Sequence, residues 1–174
     1  MKSIELSKII FMIGKGVNYP QNISKELKKA PTTIITQLSK LEKEKYVLRK
    51  DKLNPKEKLK NKTIYLVNYE MIIIDFFNYL KSKNNKLNIE QSYYSNQYLI
   101  KFFKELIKIS KINTLEELFE KIRNISPYDS FIDESEYTTP KQKEFIDILF
   151  LIEESNLDHE FIDKIVKILS DITH

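Results

Sequence analysis

The apolar positions of this chain fall mostly at helical spacing, and the period changes once. From Ser3 to about Ile13 the pattern predicts a helix that ends near Gly14 and Gly16, two residues suited to a helix C-terminus. "VNYPQN" reads as a turn in which Pro20 breaks the helix and Asn22 can cap the next one. Ile23 and Leu27 then sit at i, i+4 on a short helix expected to run through Lys29. Ala30 and Pro31 interrupt again, and Thr32 or Thr33 can cap a third helix. On it Ile34, Leu38 and Leu41 fall at i, i+4, i+7, one seam facing inward. The period then shortens. "YVLRKD" and "TIYLV" read as strands on either side of the polar loop "KLNPKEKLKNK", which makes a hairpin.

Beyond the hairpin the pattern is helical throughout. "MIIIDFFNYL", within Tyr69 to Lys83, is apolar almost all round, so that helix is expected to be buried on more than one side. Later starts are marked by their caps. Asn88 stands three before Gln91, Thr114 and Glu117 are spaced as a capping box, and so are Thr139 and Gln142, with Pro140 at the first helical position. Asp158 opens a last helix with Phe161, Ile162, Ile165, Ile168, Leu169 and Ile172 on its apolar face. The fold class expected is mostly α. Residues 1–68 form helices plus a two-stranded hairpin, and residues 69–174 form an all-helical region.

Charge changes this picture more than composition does. Residues 1–67 hold sixteen Lys and Arg against six Asp and Glu, whereas residues 68–174 hold thirteen against nineteen. A strongly basic half joined to an acidic one points to a nucleic-acid partner for the first. The absence of Cys excludes disulfides, zinc–thiolate sites and thiol redox chemistry. No apolar run approaches the roughly 20 residues of a membrane span. Residues 1–16 are interrupted by Glu5 and Lys8 and read as a helix, not a signal peptide. A cytoplasmic location without membrane contact is the expectation.

In the stretch "YPQNISKELKKAPTTIITQLSKLEKEKYVLRKD", Tyr19, Pro20, Ile23, Leu27, Thr33, Leu38, Leu41, Glu42 and Val47 stand in a familiar order. Over about residues 4–68 the chain resembles the winged helix-turn-helix transcriptional regulators of the ArsR/MarR-like type. That family often has Gly two residues before the strand Val, where this chain has Lys45. The resemblance implies a DNA-binding domain in residues 1–68, with a recognition helix in the major groove and the hairpin as a β wing. Dimerisation or regulation by residues 69–174 is expected separately, from the all-round apolar "MIIIDFFNYL" and the apolar face of the last helix.

The residues support the same expectation independently. A recognition helix buries one seam and presents short polar groups to base edges. With Ile34, Leu38 and Leu41 inward, Thr32, Thr33, Thr36, Gln37, Lys40 and Lys43 are expected outward. Gln37 can pair with adenine in a bidentate way, the Thr residues can touch a thymine methyl or a phosphate, and the Lys residues suit phosphate. The hairpin adds Arg49, Lys50, Lys56, Lys58, Lys60 and Lys62 for the backbone or the minor groove.

Other chemistry is poorly represented. Gly14 and Gly16 are the two glycines, so no P-loop or dinucleotide fingerprint exists. His159 and Asp163 at i, i+4 read as a solvated pair, not half a metal site. Tyr93, Tyr94, Tyr98, Phe102 and Phe103 read as core or dimer packing in preference to an effector pocket. The acidic loop around Asp129 to Tyr137 reads as solvated. No enzyme, cofactor or metal is expected. The expectation is a homodimer that binds double-stranded DNA and regulates transcription, with any small-molecule or protein effector unidentified. The alternative is a winged-helix protein-interaction subunit of a transcription or replication complex. RNA binding is disfavoured by the lack of an exposed aromatic platform.

Overall fold

The structure is a computed structural model that describes residues 3–52, 62–83, 91 and 94–125. Three helices come first: α1 (Ile4–Gly14), α2 (Pro20–Glu26) and α3 (Pro31–Lys43). The antiparallel pair β1 (Val47–Lys52) and β2 (Lys62–Val67) follows, then α4 (Tyr69–Lys83), α5 (Gln97–Ile109) and α6 (Leu115–Ile125). The described residues are thus mostly helical with one two-stranded sheet, as the pattern predicted. The sequence expectations for Asn88, Thr139 to Gln142, the acidic loop and the helix from Asp158 lie outside the described residues, as do Tyr93, His159 and Asp163. No helix among the described residues is long and apolar enough to cross a membrane.

Two helix starts differ from expectation. Asn22 and the pair Thr32/Thr33 were the expected caps, but the N-caps are Tyr19 and Ala30, with Pro20 and Pro31 opening α2 and α3. A proline at the first helical position loses no hydrogen bond, and its fixed φ already suits a helix, so both prolines start helices instead of separating them. Helix α2 also stops at Glu26, three residues short of Lys29. At α5 the cap is Asn96, whose Oδ1 accepts from the Tyr98 and Leu99 amides at 2.9 and 3.3 Å. The Thr114 cap is present: its Oγ1 accepts from the Glu117 amide at 3.2 Å.

The first three helices end alike. The residue after each C-cap adopts a left-handed conformation: Gly16 at φ 93°, Lys28 at 51° and Lys45 at 65°. Each turn closes with the paired hydrogen bonds of a Schellman motif. At the end of α3 these run from Tyr46 N to Leu41 O at 2.9 Å and from Lys45 N to Glu42 O at 3.0 Å. Lys45, two residues before Val47, thus holds a left-handed position despite its Cβ.

A single apolar cluster runs from Leu6 on α1 to Ile122 on α6 and includes Ile34, Leu38 and Leu41. Residues on both sides of position 68 contribute to it. Helix α4 places Ile72, Ile73, Phe76, Phe77, Tyr79 and Leu80 in it. Phe76 lies 5.4 Å from the Phe103 ring and 5.5 Å from the Phe119 ring, and Phe77 lies 5.6 Å from Tyr94. The near-continuous apolar surface of α4 is thus taken up by α5 and α6 of its own chain. Phe102 and Phe103 are core residues, as the packing interpretation of that aromatic stretch expected.

Candidate nucleic-acid interface

Helix α3 is held from beneath by Ile34, Leu38 and Leu41, all fully buried. Burying three such side chains contributes about 1.5–3 kcal/mol each and fixes the rotation of the helix. That rotation leaves Thr32, Thr33, Thr36, Lys40 and Lys43 exposed, together with Ser39. The Thr36 hydroxyl donates to the Thr32 carbonyl at 3.0 Å, so toward solvent it offers acceptor lone pairs and a methyl group. Lys40 and Lys43 occupy the last turn, where cations suit the helix dipole.

Gln37 is the exception. It was expected on the outer face, yet it is half-buried on the edge of α3 that faces α1. Its Nε2 donates to Glu5 Oε2 at 3.1 Å, and its Oε1 is buried with no hydrogen-bond partner among the described residues. The other Glu5 oxygen pairs with Lys29 in the turn before α3. The Lys29 contact is the main cause holding the Glu5 carboxyl below the usual carboxylate value; desolvation opposes it, and Gln37 and then Lys8 add lesser help. Glu5 thereby clasps the start of α1 to Lys29 in the α2–α3 turn and to Gln37 in the middle of α3. A bidentate adenine contact would require Gln37 to leave this carboxylate. The inward seam of Ile34, Leu38 and Leu41 led to the expectation of an outward Gln37, and the contact with α1 turns its amide toward Glu5 instead.

The hairpin is joined to α3 through a tightly held junction. Asn68 donates from its backbone to Tyr46 O at 2.9 Å and from its side chain to Lys45 O at 2.9 Å. The Tyr46 hydroxyl donates to the Asp75 carboxylate on α4. Burial, then that carboxylate, pushes the Tyr46 phenol far above its usual range. At the other strand, the Tyr65 amide donates to Asn18 O at 3.1 Å, which ties β2 to the α1–α2 connection.

Along β1 successive side chains alternate between faces. Arg49 shares the face of the buried Val47, and Lys50 the face of Leu48. Both are exposed, but they point to opposite sides of the ribbon. Arg49 is also offset by Asp51, whose Oδ1 lies 3.5 Å from its Nε and accepts from Thr63 at 2.8 Å. Lys62 pairs with Lys52 at the far end of the ladder. Lys56, Lys58 and Lys60 lie outside the described residues.

Sequence reasoning missed two features of this surface. Ile35 is 51% exposed on α3, and Leu48 is 48% exposed on β1. The adjacent pair Ile34 and Ile35 was a signal, since one seam can take only one of them. No protein-family model matches the chain, and no curated protein matches it.

Proposed function

We propose that this protein is a sequence-specific DNA-binding transcriptional regulator of the winged helix-turn-helix type. In this reading α3 enters the major groove and the β1–β2 hairpin follows the backbone or the minor groove. The observation that carries it is the rotation of α3: a buried Ile34/Leu38/Leu41 seam beneath an exposed row of Thr, Ser and Lys. The charge of residues 1–67 supports it, because neutralised phosphates release counterions and drive association. The deciding experiment is selection of bound sequences from a random duplex pool, followed by fluorescence anisotropy on the selected site. Failure to enrich any sequence refutes the reading.

We propose that it acts as a homodimer in the cytoplasm. A two-fold dimer sets two recognition helices about 34 Å apart, one turn of DNA, and predicts a palindromic site. The motive for pairing is the apolar face that the sequence pattern gives a helix from Asp158 onward. Light scattering that returns a monomer at micromolar concentration refutes it.

The second reading, a protein-interaction subunit of a transcription or replication complex, is favoured by the exposed Ile35 and Leu48. Under that reading the selection recovers no sequence, and Ile35→Asp abolishes capture of the partner.

A further inference from the structure

We infer that Ile35 is the residue of α3 that reads the 5-methyl group of thymine, an inference that rests on the DNA-binding function proposed above. Two independent observations lead to it. The Gln37 edge of α3 is closed to a base, because its amide is held by Glu5, which Lys29 holds in turn. The opposite edge is open. Ile35 is 51% exposed there, three residues after Thr32 and four before Ser39, both exposed. Residues at those spacings stand in one row along a helix. The arc available to a groove therefore runs through Thr32, Ile35, Thr36, Ser39 and Lys43, with Ile35 as its apolar member.

Thymine is the base that shows a methyl group on its major-groove edge, and an apolar side chain is the contact that recognises it. Protein partners fit this row less well. On its rows within α3 Ile35 is preceded by Pro31 and Thr32 and followed by Ser39 and Lys43, and Ser and Lys are residue types depleted from protein interfaces. The polar neighbours have work in a groove: Thr36 retains acceptor lone pairs, and Lys43 reaches for phosphate.

The test uses the full chain and the duplex recovered by selection. Each thymine in turn is replaced by deoxyuridine, which removes the methyl group and nothing else. The parent protein should lose about fourfold in affinity at one or two thymines per half-site, the value of one methyl group taken out of water. Ile35→Ala should bind the thymine and deoxyuridine duplexes equally, and Ile35→Val should fall between. A half-exposed side chain lies outside the core, and matching thermal melts of the variants confirm that all are folded. Equal binding of both duplexes by the parent, discrimination that survives in Ile35→Ala, or a selected site without thymine overturns the inference while leaving DNA reading intact. Failure of the selection itself overturns both.

Discussion

Lys28 and Lys45 occupy left-handed positions at φ 51° and 65°, where the third such position, Gly16, carries glycine. A residue with a Cβ is disfavoured in that conformation by about 1–2 kcal/mol. Glycine removes this strain but loses more backbone freedom on folding, worth about 0.5–1 kcal/mol. The net expectation is that Lys28→Gly and Lys45→Gly each stabilise the protein by about 0.5–1 kcal/mol. The two positions lie beyond opposite ends of α3, roughly 20 Å apart by the rise of a 13-residue helix, so their effects should add. For a chain of 174 residues the double variant should melt about 2–8 °C higher. Alanine at the same positions keeps the Cβ and removes the charge, so those variants should melt close to the parent. Gly16→Ala is the reverse experiment. A Cβ there would meet nothing within 4 Å, so its expected loss of about 1 kcal/mol is purely conformational. Thermal unfolding followed by circular dichroism measures all of these. If alanine stabilises as much as glycine, charge removal and not strain relief is the cause, and the reasoning fails. A neutral Gly16→Ala would refute it as well.

Gly14→Ala should destabilise by about 1–3 kcal/mol for a different reason, because its Cβ would come within 2.5 Å of Ile107 Cγ2 where α1 meets α5; denaturant titration reads the loss. Leu38→Ala should cost about 2–5 kcal/mol through a core cavity, whatever the function, measured the same way. The depressed Glu5 carboxyl contributes stability that is complete above its ordinary value of about 4.5 and is lost as pH falls through the lower folded value. Glu5→Gln should therefore flatten the melting temperature profile on the acid side and leave its neutral shape unchanged; an unaltered acid limb disproves the clasp. If each subunit of a dimer neutralises about four phosphates, log K should fall with log salt at a slope of about −7. Replacing Lys56, Lys58 and Lys60 by Ala should make that slope shallower by roughly one unit per lost contact, on selected and random DNA alike.

The sequence by itself determined whatever depends on near neighbours. The seam of Ile34, Leu38 and Leu41 was legible because a helix brings those positions to one side with no help from the rest of the chain. The two strands were legible from the change of period, and the Thr114 cap from its spacing to Glu117. Starts at Pro20 and Pro31 were misplaced by two or three residues, since proline both ends and begins helices and only the folded backbone says which. Contacts between distant residues needed the tertiary structure. Nothing near Gln37 in sequence indicates that Glu5, 32 positions away, will turn its amide from the outer face. Nothing near Tyr46 indicates Asp75, and the apolar surface of α4 was as consistent with a second subunit as with the α5 and α6 that cover it. Helical period fixes which residues share a face, but the choice of what that face meets is made by elements far along the chain, through packing that no local pattern encodes.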